Sequence, residues 1–303
     1  MAADIGEILV LGGSSFVGRE LTERLGGKAI PTYNSSPFVS GIMFDATTMR
    51  ITDIIQDPQA ISHAIILVGD TQPNSCFDDK ERSQAINVDG IERIIDDLIE
   101  CDIRPVFTSS EFVFDGEKGG YVETDPAEPI LLYGKQKLAI ERYLQSVSDD
   151  FAILRLAKIF GVKPNDGTFF TSMLHAIEGS SEIRCAADQK FSPVYVGDVV
   201  NVILASIEAP LHGVFHVAGP EGKTRLQFLE IMINEVKKYR SVDTSINACS
   251  INDFQLPEAR PIDVSMRPDK LVAATGISLL SAEEACQTIC EELYSMTYSG
   301  QQT

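Results

Sequence analysis

The sequence predicts an α/β fold in which a doubly wound parallel sheet carries a smaller, discontinuous second lobe. Strand-like and helix-like segments alternate through the first half of the chain, which indicates βαβ crossovers. The first apolar run leads directly into glycines and then into a segment with helical spacing. Beyond Gly161 the elements become shorter and less regular, so the second lobe is expected to begin there.

The first half of the predicted sheet is compact in sequence. In order, its segments are strand 7–11, helix 16–25, strand 28–33, strand 42–44, helix 49–56 and strand 63–68. The Asn, Ser and Pro residues at 34–37 break the chain after the second strand. Residues 63–68 are apolar almost throughout, which is typical of a strand buried on both faces of a sheet.

The remaining segments complete the sheet and define two lobes. In order, they are helix 80–101, strand 105–108, helix 135–147, strand 151–156, helix 198–207 and strand 213–217. The last helix and strand return to the sheet after an irregular stretch. The predicted division is therefore a first lobe of residues 1–160 with 196–217, and a second lobe of 161–195 with 218–303.

Composition excludes several function classes. The 303 residues carry 25 Lys plus Arg against 44 Asp plus Glu, so the net charge is 25 − 44 = −19, which disfavours nucleic acid as a partner. No apolar run approaches the ~20 residues of a membrane span. The first seven residues include Asp4 and Glu7, whereas a secretory signal carries bases there. Six scattered cysteines without a CxxC motif favour a reducing cytoplasm, and no metal site is predicted.

A glycine-containing turn follows the first strand and opens the first helix. The candidate cofactor-binding residues here are Gly12, Gly13, Ser14, Ser15, Phe16, Val17 and Gly18. Strand, glycine turn and helix in this order are typical of a Rossmann-type dinucleotide site, where backbone N–H groups approach a pyrophosphate. Ser15 stands where the middle glycine of the motif is usual. The alternative is that these glycines only shape a turn.

The second strand bears on the choice of dinucleotide. NAD sites usually place an acid at its end to bind the ribose hydroxyls, but this strand ends in Tyr33 and Asn34. Arg19 is a base beside the turn that can meet a 2′-phosphate, or a solvent-facing helix residue. The missing acid favours NADP(H) over NAD(H). Asp45, after the third strand, is a candidate adenine contact or a helix cap.

Tyr133 and Lys137 are four residues apart and share one helix face. An ammonium group beside a phenol is expected to lower the phenol pKa, which suits proton delivery to a carbonyl oxygen. Ser110 ends the fifth strand, at the edge where open α/β sheets bind ligands, and its hydroxyl can hold that carbonyl. A surface helix and a serine bonded to its own backbone are the alternatives.

These residues belong to longer motifs. The runs Ser109-Ser110-Glu111-Phe112-Val113-Phe114-Asp115-Gly116 and Tyr133-Gly134-Lys135-Gln136-Lys137-Leu138-Ala139, with Ile153-Leu154-Arg155 and Phe215-His216-Val217, resemble the extended short-chain dehydrogenases. Among these, the chain is most similar to the dTDP-4-dehydrorhamnose reductase group. The segment 109–141 also resembles the regulatory β-subunit of methionine adenosyltransferase. The resemblance spans essentially the whole chain.

The resemblance implies roles for individual residues. It implies Ser110 as the hydroxyl partner, Tyr133 as the general acid and Lys137 as the residue that holds the nicotinamide ribose. Further cofactor contacts implied after the fourth strand are Val68, Gly69 and Thr71. The chain has Glu111-Phe112 where the reductases tend to have Asp-Tyr, and Lys158 where they often have tryptophan.

The expected activity is reduction of a keto group on a nucleotide-activated sugar. Ser110 and Glu111 are candidate substrate contacts, and Arg260 and Arg267 are candidates for a guanidinium clamp on a diphosphate or for structural ion pairs. Two alternatives remain: a non-catalytic NADP-binding regulatory subunit, and a sugar-nucleotide epimerase or dehydratase that uses the same Tyr and Lys. The oligomeric state is open, a homodimer included.

Overall fold

The computed structural model describes residues 6–209 and 211–299, and the acidic N-terminal stretch at 1–5 lies outside them. The strands are β1 Glu7–Leu11, β2 Ala29–Tyr33, β3 Ile42–Met43, β4 Ile61–Ile66, β5 Arg104–Ser110, β6 Ala152–Leu156, β7 Ile159–Phe160, β8 Glu182–Ala186, β9 Lys190–Phe191, β10 Val194–Tyr195, β11 Gly213–Val217, β12 Lys223–Thr224 and β13 Ser245–Cys249. The α-helices are α1 Phe16–Leu25, α2 Pro73–Asp78, α3 Lys80–Gln84, α4 Gly90–Glu100, α5 Leu132–Val147, α6 Phe169–Gly179, α7 Val196–Glu208, α8 Arg225–Val236, α9 Asp269–Thr275 and α10 Ala282–Ser299.

A seven-stranded parallel sheet forms the centre of the molecule, in the order β11-β6-β5-β4-β1-β2-β3. This confirms the predicted α/β fold with a doubly wound parallel sheet. The direction of winding reverses at β1, which pairs with β2 on one side and β4 on the other. A crevice is expected at the carboxyl ends of strands where the order reverses, and ligands bind there in open α/β sheets.

Both faces of the sheet are buried, as the apolar strands predict. Ile8 and Val10 point into a core that they share with α1 and α7, whereas Leu9 and Leu11 point into the opposite core, against α4 and α5. All four side chains are fully buried. Because alternate strand residues face opposite sides, a continuous apolar run satisfies both cores at once.

The predicted helix 80–101 is continuous but not uniform. It begins at Lys80, widens into a π-helix over Ala85–Asp89, and continues as α4 to Glu100. Single π-turns inside α-helices are frequent at functional sites. Here the widened turn carries Asn87, whose side chain bonds to the loop after β4.

The predicted helix 49–56 is wrong. The segment forms only a 3₁₀ turn, Ile51–Asp53. The Ile51 N–H donates to the Asp97 carboxylate of α4 at 2.7 Å, and the Arg50 N–H donates to Asp53 at 2.7 Å. These side chains cap the N–H groups of a short turn, and Pro58, which disfavours helix at the residue before it, follows closely.

The second half of the chain adds a separate apolar cluster. It packs α6, α8 and α10 together around Phe160, Phe170 and Phe228. The paired strands β8 and β13 lie beside these helices, while β9 and β12 form a two-residue antiparallel ladder. The helix α7 and strand β11 instead join the large sheet, where β11 pairs with β6. Among the described residues, no helix is long and apolar enough to cross a membrane.

Candidate active site

The turn after β1 is shaped by its glycines. Gly12 has a φ of 94°, which favours glycine, and its N–H donates to the Thr32 hydroxyl at 3.0 Å. A Cβ at Gly13 would crowd Pro31 of β2, and one at Gly18 would overlap the Gly12 carbonyl oxygen. Gly18 therefore allows α1 to pack closely on the turn. Its role in this structure is packing, and a bulky substitution there disturbs the fold as well as the groove.

Ser15, at the position of the usual middle glycine, caps α1. Its hydroxyl accepts a hydrogen bond from the Gly18 N–H at 3.1 Å, and its own N–H donates to the Gly12 carbonyl at 3.0 Å. A serine in this position satisfies one of the N–H groups that a helix start leaves free. Ser14 and Ser15, at the start of this ten-residue helix, line an open groove.

That groove has a volume of about 810 Å³ and crosses the carboxyl ends of β1, β2 and β4. It brings together these predicted cofactor residues: Gly12, Ser14, Ser15, Asn34, Asp45, Val68, Gly69 and Thr71. The loop after β4 is fixed by Asn87, which accepts from the Asp70 N–H at 2.8 Å and donates to Gln136 at 2.9 Å. Asn87 thus connects the loop after β4 to helix α5.

The ends of the groove bear on ribose and adenine recognition. Arg19 donates to the Ser14 carbonyl at 2.9 Å, and its guanidinium lies 5.3 Å from the ring centroid of Phe38. Asp45 accepts from the N–H and hydroxyl of Thr47 at 2.8 and 2.7 Å, and these bonds lower its pKa. Asp45 therefore caps a local turn while it lines the groove.

A second cavity of about 420 Å³ adjoins the groove, and Ser15, Leu67, Thr71 and Gln72 line both. The structure brings Ser110, Tyr133 and Lys137 together on its wall, with Phe16, Val17 and Glu111. Ser110 ends β5, and Tyr133 and Lys137 lie in the first turns of α5. All three side chains of the triad are buried, with exposed fractions of 7%, 6% and 3%.

The expected lowering of the Tyr133 pKa is wrong for this ligand-free structure. Burial raises the pKa of the phenol above its usual 10, although a hydrogen bond from Ser110 acts in the opposite direction. The Lys137 ammonium donates to the Thr108 carbonyl at 2.9 Å and lies 5.8 Å from the Tyr133 ring centroid. Burial lowers the pKa of Lys137 to about 8.

A buried ionic network holds α5 against the sheet behind the triad. Glu141 lies one turn beyond Lys137 on the same face of α5 and accepts from the Ser109 hydroxyl. It also accepts three hydrogen bonds of 2.7–3.2 Å from the Arg155 guanidinium. Glu141 and Arg155 are 1% and 5% exposed. Since Ser109 precedes Ser110, this network fixes the strand end relative to the helix that carries Tyr133.

Glu111 follows Ser110 and lies in the cavity wall. It is 4% exposed, and its Oε2 atom has no hydrogen-bond partner among the described residues. Burial raises the pKa of this carboxyl to about 8, although the ammonium and backbone N–H of Lys158 favour its charged form. Glu111 is therefore mostly protonated at neutral pH.

The predicted guanidinium clamp does not form in this cavity. Arg260 donates to the Glu258 carbonyl and to Asn74, and Arg267 donates to Asp269 at 2.7 Å with most of its side chain exposed. The cavity is lined instead by Lys158, Gln189 and Arg225, which were not predicted as site residues. One signal was available in the sequence: Lys158 is a charge two residues beyond a buried strand.

Comparison with known proteins gives the family. The family model described as the RmlD substrate binding domain matches residues 6–295. The dTDP-4-dehydrorhamnose reductase of Aggregatibacter actinomycetemcomitans is 27% identical over 214 residues, which cover 68% of this chain and 72% of that protein. The methionine adenosyltransferase 2 subunit beta of Danio rerio is 28% identical over 172 residues, covering 54% of this chain and 47% of that protein.

Solved structures agree. A hypothetical dTDP-4-dehydrorhamnose reductase from Sulfolobus tokodaii superposes with a TM-score of 0.78 at 26% identity, covering 92% of this chain and 98% of that one. The dTDP-4-dehydrorhamnose reductase of Bacillus anthracis in complex with NADP gives 0.76 at 22% identity, covering 95% and 99%. With the motifs, the sheet order and the family match over nearly the whole length, the chain belongs to the RmlD substrate binding domain family.

Proposed function

We propose that this protein catalyses the NAD(P)H-dependent reduction of a keto group on a nucleotide-activated sugar. The observation that carries the proposal is the convergence of Ser110, Tyr133 and Lys137 on one cavity that adjoins a dinucleotide-sized groove. Relatives named dTDP-4-dehydrorhamnose reductase support the same reaction class. The mechanism below follows from the chemistry of these side chains.

The groove fits a nicotinamide dinucleotide. It starts at Asn34 and Asp45, passes the glycine turn and the N-terminus of α1, and reaches the catalytic cavity at Thr71. Backbone donors at the turn would hold the pyrophosphate, and Lys137 would hold the nicotinamide ribose. When bound in its reduced form, the cofactor supplies the hydride that the carbonyl carbon accepts.

Tyr133 is proposed as the proton donor. Its raised pKa keeps the phenol protonated at neutral pH, so the hydroxyl can donate to the carbonyl oxygen as negative charge develops there. The Ser110 hydroxyl, which accepts from the Phe112 N–H at 3.2 Å, would orient the same oxygen. The proton leaves Tyr133, the carbonyl becomes a hydroxyl, and the phenolate is reprotonated from solvent through the cleft.

We further propose NADP(H) as the preferred cofactor. The end of β2 offers Tyr33, Asn34, Ser35 and Ser36 to the groove in place of an acid, and Arg19 lies beside Ser14. A 2′-phosphate would therefore meet hydroxyls and a guanidinium, with no carboxylate at the end of β2 itself. Calorimetric titration tests this: NADPH should bind more tightly than NADH, and Arg19→Gln should narrow the difference. Tighter binding of NADH would contradict the preference.

The two-lobe division is part of the proposal. Residues 1–160 with 196–217 would form the cofactor lobe, and residues 161–195 with 218–303 would form the substrate-binding lobe. Residues 1–5, 210 and 300–303 of these ranges lie outside the described residues. The separate core around Phe170 and the return of β11 to the sheet support this division. Limited proteolysis with and without NADPH tests it, since cofactor should protect the first lobe selectively.

The reaction is tested by NADPH oxidation with a panel of keto-sugar nucleotides. We expect turnover with at least one of them and release of NADP⁺ after each turnover. A tightly retained NAD⁺ with no net oxidation would indicate an epimerase or dehydratase instead. Protein that binds NADPH but turns over no keto sugar would support a regulatory subunit, the alternative suggested by the similarity to methionine adenosyltransferase 2 subunit beta.

The proposal also covers the cellular compartment and the oligomeric state. All six cysteines are free in the structure, which suits a reducing cytoplasm. A homodimer stays a prediction from the sequence, and sedimentation velocity at several protein concentrations tests it.

A further inference from the structure

Two cationic side chains stand where the catalytic cavity meets a neighbouring one. The neighbour has a volume of about 370 Å³ and lies against α6, β8 and α8, with Phe169, Met173 and Leu229 in its wall. Lys158, Ile159 and Arg225 line both cavities. A ligand that reaches from one cavity into the other must therefore pass these two cations.

Neither cation forms a close ion pair within the described part of the chain. Among the described residues, no carboxylate lies within ion-pair distance of Lys158 or Arg225. The partners of Arg225 are neutral: its Nε lies 3.4 Å from the Gln189 amide oxygen, and its guanidinium lies 5.3 Å from the Phe169 ring centroid. In a chain with a net charge of −19, two such cations are unusual.

Both cations are buried, and at Lys158 the charge of Arg225 opposes the ammonium while Glu111 favours it. Burial lowers the pKa of both Lys158 and Arg225, and the charge of Arg225 lowers that of Lys158 further. Burial raises the pKa of the Glu111 carboxyl to about 8, so Glu111 compensates the two cations only in part at neutral pH. Its Oε2 atom is buried and has no hydrogen-bond partner among the described residues.

We propose that Lys158 and Arg225 form the anion subsite of the substrate, at the junction of the two cavities. They would bind phosphate or carboxylate oxygens, with the reacting sugar beside Tyr133 and the remainder of the ligand in the second cavity. This inference rests on the proposed function and names the part of the substrate that these residues recognise. A diphosphate between sugar and nucleoside has this chemistry, and so does the carboxylate of a sugar acid.

The test measures binding in the presence of saturating NADP⁺, so that the turn after β1 is occupied. Calorimetry compares dTDP-glucose, UDP-glucose and UDP-glucuronic acid as probes for wild type, Lys158→Met and Arg225→Met. Charged hydrogen bonds are worth about 10- to 100-fold in affinity, so each variant should lose about that much. Lys158→Arg should keep most of the affinity. Lys237→Met, at an exposed lysine after α8, is the matched control and should bind like wild type.

The pattern of losses identifies the anion. An equal loss for all three probes assigns the subsite to the diphosphate, whereas a loss confined to UDP-glucuronic acid assigns it to a sugar carboxylate. Unchanged affinities in both variants, or a wild type that binds none of the probes, would overturn the proposal.

A second readout separates recognition from structural support. Because burial disfavours both charges and the charge of Arg225 opposes that of Lys158, Lys158→Met and Arg225→Met should each raise the melting temperature of the ligand-free protein, and the double variant should gain less than the sum. Lower melting temperatures would show that these side chains support the fold. Both readouts are independent of turnover, so a failure of the reductase proposal leaves this test intact, and a catalytically active enzyme can still fail it.

Discussion

Replacing Glu111 with glutamine should stabilise the ligand-free protein, and increasingly so as the pH rises. The carboxyl is buried beside Ser110, and burial raises its pKa from 4.5 to about 8. In the unfolded chain the same group loses its proton near 4.5. Between these two values the folded protein holds a proton that the unfolded chain has released, so stability falls as the pH rises through this window.

The magnitude follows from the two pKa values. Because the folded protein retains a proton that the unfolded chain has released, the free energy of unfolding is lower by ~1 kcal/mol at pH 5.5 and by ~4 kcal/mol at pH 8. Glutamine has nearly the same shape as the protonated carboxyl and does not titrate. Glu111→Gln should therefore gain little at pH 5.5 and most of ~4 kcal/mol at pH 8, an increase of several degrees in melting temperature.

The assay is thermal unfolding without ligand across this pH range, above the sequence pI of about 4.5. Glu117→Gln, at an exposed glutamate six residues further along, is the matched control and should follow the wild type at every pH. A difference between Glu111→Gln and wild type that stays constant with pH would refute the reasoning, because it would show that the carboxyl titrates normally in the fold.

Three further predictions concern the rest of the site. Gly18→Ala should lower stability and NADPH affinity together, because its Cβ overlaps the Gly12 carbonyl, whereas Gly27→Ala, whose Cβ meets open space, should be neutral in thermal unfolding and calorimetry. Lys137→Met should weaken NADPH binding by about 10- to 100-fold. It should also raise the melting temperature of the ligand-free protein, and by more at pH 7 than at pH 10. Burial lowers the pKa of Lys137 from 10.5 to about 8, so the buried ammonium costs stability as the pH falls between these two values. Glu141→Gln should cost about 3–5 kcal/mol of unfolding free energy, because it leaves Arg155 charged and buried; an unchanged urea midpoint would contradict the network.

Local sequence signals predicted the first strand and helix well. The run of Glu7 to Leu11, the glycines after it and the helical spacing from Phe16 are all short-range patterns, and β1 and α1 begin and end where predicted. The helix predicted over 49–56 is wrong: the segment forms a 3₁₀ turn whose Ile51 N–H is held by the Asp97 carboxylate, more than forty residues away. Such a long-range hydrogen bond leaves no trace in local periodicity.

The chemistry at the site divides in the same way. The spacing of Tyr133 and Lys137 predicted their shared face. The burial that shifts their pKa values instead depends on residues more distant along the chain, such as Phe112 beside Tyr133 and Thr108, which accepts from Lys137. Arg225 reaches the cavity because the two-residue strands β9 and β12 pair, so that its N–H donates to the Gln189 carbonyl at 2.9 Å. Strands this short are too brief to be predicted from alternation.

The central claim is that Tyr133 delivers a proton to a sugar carbonyl in this cavity. The most direct test is the steady-state rate of NADPH oxidation with a keto-sugar nucleotide, measured for wild type and Tyr133→Phe beside their NADPH dissociation constants. Phenylalanine keeps the ring and removes the donor, so kcat should fall by roughly 10²–10⁴ while the dissociation constant stays within about twofold. A Tyr133→Phe protein that turns over like wild type would contradict the claim.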